Sequence, residues 1–161
     1  MGHKALSKEY GMRTAIKIGV IVSFATAVAV LVIWDTPRNK VELILERDAI
    51  EQRAMAYFKA EMEHNYKQVY AYLAPSSTYR KTHTYEQYLQ DVSGSPVGIK
   101  TYHIVDIYRL RGNHDRATYP AVERFVQVEV DVDVGFADTG TTSTCNYCFT
   151  FIKEGGRWYK G

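Results

Sequence analysis

The segment Phe125–Val134, FVQVEVDVDV, alternates with a period of two. Val126, Val128, Val130, Val132 and Val134 fall on one side of an extended chain, and Gln127, Glu129, Asp131 and Asp133 fall on the other. Such a strand needs a dry neighbour on its valine side. Its acidic side must be a catalytic or metal-binding surface, a docking face, or the wet side of a sheet. Carboxylates exposed in a row are poor general acids, because nothing raises their pKa. They also lack the convergent oxygens of a calcium loop. The row Gln127, Glu129, Asp131 and Asp133 is therefore a candidate interaction face for basic partners, or a charged surface that discourages stray pairing.

The period of two sets in at Val97. Strands are expected over 98–111, 122–136, 142–153 and 157–160, joined by the turn residues Gly112-Asn113-His114-Asp115, Asp138-Thr139-Gly140 and Gly155-Gly156. Before Val97 the spacing is helical. Leu43, Ile50, Ala54, Tyr57, Phe58 and Met62 mark a long amphipathic helix over 39–63. Asn65 with Gln68, and Thr84 with Gln87, have capping-box spacing and predict two short helices over 65–73 and 84–92. Ser76–Glu86, with Arg80 and Lys81 adjacent, is read as a solvated loop. Helices followed by a meander indicate an α+β fold, with three helices packed on a curved antiparallel sheet of about four strands.

The N-terminus differs from the rest. Residues 18–34, IGVIVSFATAVAVLVIW, carry no charge. As a helix they span about 25 Å, slightly less than a bilayer core of about 30 Å. Lys17 extends the span by snorkelling and Trp34 suits the interface. Ala27-Val28-Ala29 would serve a signal peptidase, but cleavage there would leave an apolar new terminus, so an uncleaved anchor is the preferred reading. Residues 1–17 carry a net +3 and the remainder −1. The basic tail is expected in the cytoplasm, and residues 35–161 outside a bacterial-type inner or plasma membrane. The outer part has no excess positive charge, which argues against nucleic acid as a partner.

The stretch AMAYFKAEMEHNYKQVYAYLAP, the capped helix TYEQYLQDV and the closing hairpin GGRWYKG together resemble the nuclear transport factor 2-like superfamily, over residues 39–161. The resemblance implies a cone of helices on a curved sheet. That superfamily includes enzymes, ligand binders and non-catalytic assembly domains. The layout is most similar to its membrane-anchored extracytoplasmic members, among them a type IV secretion subunit and a domain of some penicillin-binding proteins. No catalytic residue transfers from the resemblance.

Other constellations have ordinary readings beside them. Cys145 and Cys148 lie three apart on a strand, on opposite faces and about 10 Å apart. A disulfide needs roughly 4.4 to 6.8 Å. Separate thiols are the first reading; a disulfide across a bulge or between chains, or redox or metal chemistry, remain alternatives. No cofactor or metal is expected, since no second cysteine pair exists. Alternation places His103 with Thr101 and Val105, and Tyr102, Ile104, Asp106 and Tyr108 opposite, so His103 and Asp106 are not expected to share a face. The chain has 13 tyrosines. Many suit a core with hydroxyls at its rim. A pocket among Tyr70, Tyr88, Tyr102, His103, Asp106 and Tyr147 is the functional alternative.

Two functions follow. The first is a single-pass, non-catalytic accessory subunit that docks envelope proteins, or a second copy through the outer sheet face. The second is a small-molecule binder, or an isomerase or dehydratase, using a cavity between helices and sheet.

Overall fold

A computed structural model describes residues 17, 20–30 and 33–161. The chain divides at residue 40 into two units. In the first, helix α1 (Val20–Val30) exposes Val20, Ile21, Val22 and Phe24. Among the described residues no single helix is long and apolar enough to cross a membrane. Residues 18, 19, 31 and 32 of the expected span, and residues 1–16 of the expected tail, lie outside the described residues.

Helix α2 (Asp35–Met62) begins four residues before the expected start at residue 39. Pro37 lies in its first turn, where a missing N–H costs nothing because that group has no intrahelical acceptor. Helices α3 (Tyr66–Tyr72) and α5 (Tyr85–Ser93) fall where the capping spacing predicts them. The Asn65 side chain accepts from Gln68 N–H at 3.2 Å, and Thr84 with Gln87 forms a complete capping box. Between them lies α4 (Thr78–Thr82), a short helix in the segment expected to be a solvated loop. Ser77 caps its N-terminus. Arg80 turns back to donate to the Leu73 and Tyr70 carbonyls at 3.1 and 3.4 Å, and stacks on the Tyr70 ring. Arg80 thus terminates α3 rather than reaching outward. Among the described residues four helices beyond α1, not three, precede the sheet.

The sheet is antiparallel and open, with β1 (Val97–Gly112), β2 (Val122–Phe136), β3 (Thr142–Glu154) and β4 (Arg157–Lys160) in that spatial order. Gly155 and Gly156 both adopt positive φ, as a two-residue hairpin turn of this hand requires. The bridge between Leu73 and Lys160 ties the end of α3 to β4.

The valine row is the inner face. Val126, Val128 and Val130 are fully buried and Val132 nearly so. Phe149, Phe151 and Tyr147 of β3 oppose Val128, Val126 and Val130. Ile50, Ala54, Tyr57 and Phe58 of α2 complete this core. Phe58 lies 5.1 Å from Phe149 and 5.3 Å from Tyr102, centroid to centroid. The preceding turns of α2 hold the sheet through charge. Glu42 accepts from Arg124 at 2.8 Å, and Glu46 accepts from Lys153 at 2.7 Å and from the Trp158 indole at 2.9 Å. The Lys153 bond is the chief reason that the Glu46 carboxyl is held below its ordinary pKa.

Phe58→Ala removes a ring enclosed on every side. It should destabilise the protein by about 3 to 5 kcal/mol, lowering the denaturant midpoint with little change in slope.

Candidate functional site

The outer face of the sheet is defined by register. Reading across β1, β2 and β3, the rungs are Tyr108–Gln127–Thr150, Asp106–Glu129–Cys148, His103–Asp131–Asn146 and Thr101–Asp133–Thr144. The acidic row is thus flanked on both sides by polar partners, several of which fix it in place. Asp133 accepts from the Thr101 and Thr144 hydroxyls, each at 2.6 Å, and Asp131 accepts from the Asn146 amide at 2.8 Å. The Thr101 bond, followed by that of Thr144, holds the Asp133 carboxyl below its ordinary pKa. Gln127 accepts from the Cys148 thiol at 3.0 Å, and the Tyr108 hydroxyl lies 3.2 Å from the same sulfur. That contact raises the Tyr108 pKa.

Strict alternation fails on β1. Its pairing with β2 slips between Ile99 and Thr101, between Ile104 and Asp106, and between Tyr108 and Arg111. The second slip inserts Val105 as an extra residue and carries Asp106 and Tyr108 to the face of His103. His103 and Asp106 therefore do share a face, contrary to the sequence expectation. They form no dyad, because the Asp106 carboxylate accepts from Ile107 N–H at 2.7 Å and meets Arg47 at 3.5 Å.

Of the other expected cavity residues, Tyr70 and Tyr88 meet in the helical layer with ring centroids 5.5 Å apart, and Tyr102 and Tyr147 lie on the inner side of different strands. Tyr102 lies on the inner side, its hydroxyl donating to the Met55 carbonyl at 3.2 Å. Tyr70 donates to the His83 carbonyl at 2.8 Å within the helical layer. Tyr147 is exposed on β3. Tyr88 is buried beside Tyr66, Tyr70, Tyr79 and Tyr85. The two cysteines are free thiols, Cys145 opposite Val132 and Cys148 opposite Glu129. The β2–β3 pairing is unbroken between them, so no bulge joins them locally. Among the described residues no group of three His, Cys, Asp or Glu side chains could hold a metal ion.

A cleft of about 920 Å³ lies elsewhere, and of the expected cavity residues only Tyr88 lines it. Its walls come from the segment around α4, from α5, from the turn after β1 and from the ends of β3 and β4. Asn113 shapes one wall by donating to the Tyr119 and Val122 carbonyls at 2.6 and 3.0 Å. On another wall Tyr79 donates to Asp91 at 2.6 Å, and this bond is the first cause that pushes the tyrosine pKa up to about 12. Lys160 also lines the cleft, and burial pushes its amine below the ordinary lysine pKa. The amine donates to the Gly161 carbonyl at 2.5 Å and forms no salt bridge among the described residues. Phe125, Ile152 and Leu73 supply apolar surface. Tyr79, Asp91 and Lys160 carried no local signal, because their segments meet only in the folded chain.

No protein-family model matches the chain, and no curated protein matches it.

The lowered Lys160 pKa has a definite sign. Between the folded value and the unfolded value near 10.5, the unfolded chain binds more protons, so this group makes stability rise with pH. Subtracting the stability of Lys160→Met from that of the wild type should leave a difference that moves in favour of the wild type as pH approaches 10.5. A flat difference would show that the amine is solvated.

Proposed function

We propose that this chain is a single-pass, membrane-anchored, non-catalytic subunit of an envelope protein assembly. Residues 18–34 are its anchor, and its nuclear transport factor 2-like domain faces outward to dock a partner with a basic surface. The observation that carries this reading is the outer face of the sheet. Asp131 and Asp133 are held at fixed positions by Asn146, Thr101 and Thr144, and no cation pairs with them among the described residues. Preorganised charge of one sign steers association and sets orientation more than it adds affinity. The uncharged run at 18–34 and the basic tail support the anchor and its direction. The order of helices then meander, with the last strand tied to the end of α3, supports the fold family.

A second reading rests on the cleft. Its size and apolar surface, with the weakly basic amine of Lys160 at its lining, suit a small amphiphilic molecule with an acidic group.

Replacing Glu129 and Asp131 together by lysine should leave the folded unit within about 1 kcal/mol of wild-type stability, since both are surface positions. It should abolish partner adducts formed in native membranes by a photoreactive residue placed at Gln127. An unchanged adduct pattern would count against docking at this face. Loss of a bound amphiphile on filling the cleft with Val92→Trp, with adducts intact, would favour the second reading.

A further inference from the structure

The two edges of this sheet are unlike. β1 forms one edge, and it is irregular: three register slips, a positive φ at Arg109, and the charged Lys100, Asp106, Arg109 and Arg111 along its length. These are the features by which natural sheets prevent stray pairing. The opposite side is formed only in part by β4, which covers Phe151–Glu154 of β3. Among the described residues, no strand lies beyond residues 142–149, TSTCNYCF. They contain no charge and no proline, and their pairing with β2 runs without a slip.

The direction of the free backbone groups follows from one bond. Gly161 N–H donates to the Thr150 carbonyl at 2.9 Å, so Thr150 points away from β2. Successive residues point alternately, and hence Thr142, Asn146, Cys148 and Thr144 also present their N–H and C=O outward. No backbone hydrogen bond outside the regular ladders engages these four among the described residues. The side chains of Thr144, Asn146 and Cys148 lean back to Asp133, Asp131 and Gln127 and leave the edge open.

We propose that this edge pairs with the same edge of a second copy, antiparallel about a two-fold axis at Cys145, to give one continuous eight-stranded sheet. The absence of charge lets the strand oppose itself without like charges meeting. The acidic rows of the two β2 strands would be three strand spacings apart, about 14 Å, beyond a Debye length of about 8 Å. The position of β4 selects the register. A two-fold centred on Asn146 or later brings Thr142 or Thr144 of the second copy against Thr150, a place already taken by Gly161. Centred on Cys145, Thr142 opposes Cys148 and Thr144 opposes Asn146, so all four outward residues are used, and only Gly140, before the start of β3, comes level with Thr150 and Gly161. The exposed ring of Tyr147 then covers Ser143 of the second copy, and the two Cys145 residues face each other at a non-hydrogen-bonded position, about 4.5 Å between Cα atoms. Cys148 and its counterpart lie several rungs apart. The inference is independent of the anchor and of the charged face.

The test is sedimentation of the full-length protein in detergent, combined with oxidation by dioxygen and copper–phenanthroline. The oxidant removes two electrons and two protons from a pair of thiols to form the disulfide. The wild type should sediment as a dimer and crosslink. Cys148→Ser should crosslink equally. Cys145→Ser should remain a dimer without crosslinking. Asn146→Pro removes an outward N–H without breaking the β2 ladder and should weaken dimerisation at least about tenfold. If that variant loses its circular dichroism, Thr142→Pro at the strand end gives the same readout. A monomer at about 100 µM, crosslinking through Cys148 instead of Cys145, or a dimer insensitive to both prolines would overturn the proposal.

Discussion

Four valines at alternate positions of β2 are removed from water together, and they can be removed only against a surface that is itself apolar along its whole length. Phe149 and Phe151 provide that surface from the next strand, and Ile50, Ala54 and Phe58 from α2. Each buried valine contributes roughly 1.5 kcal/mol or more, and a shift of one residue would expose all of them at once. The register of β2 against its neighbours is therefore the most strongly determined feature of the folded unit. The positions of the acidic residues follow from it, because a side chain on one strand face has no freedom once the other face is sealed.

The same constraint explains what could be read without coordinates. The strands, the capped helices α3 and α5 and the diglycine hairpin follow from local periodicity and turn chemistry, and all four strand positions agree with it. The side assignments on β2 and β3 hold because neither strand is interrupted along the acidic row. On β1 alternation misleads after Ile104, since a bulge is a response to the partner strand and leaves no mark in TYHIVDIYRL. Helix α4 was hidden for a different reason. Its five residues have too few apolar positions to show a period, and its cap is a single serine.

The candidate cavity shows the limit more sharply. The candidate tyrosines are divided between the inner sheet face, which holds Tyr102 and Tyr147, and the helical layer, which holds Tyr70 and Tyr88. The cleft instead draws on segments far apart in the chain, and two of the groups with shifted pKa values in it, Tyr79 and Lys160, are ordinary residues until folding gives one a carboxylate partner and the other a dry surrounding. Such shifts arise from desolvation and neighbours, neither of which is a property of a residue in a string.

The irregularity of β1 has a consequence for how far the protein can grow. A sheet with two permissive edges adds copies indefinitely and becomes a fibre, whereas one with a single permissive edge has a valence of one. Bulges, charges and the left-handed backbone at Arg109 disfavour the pairing of a further strand with β1. Any strand that docks on β3 meets a chain that offers it nowhere further to extend. For a segment as uncharged and β-prone as TSTCNYCF, termination at the far side of the molecule is what separates a finite complex from aggregation.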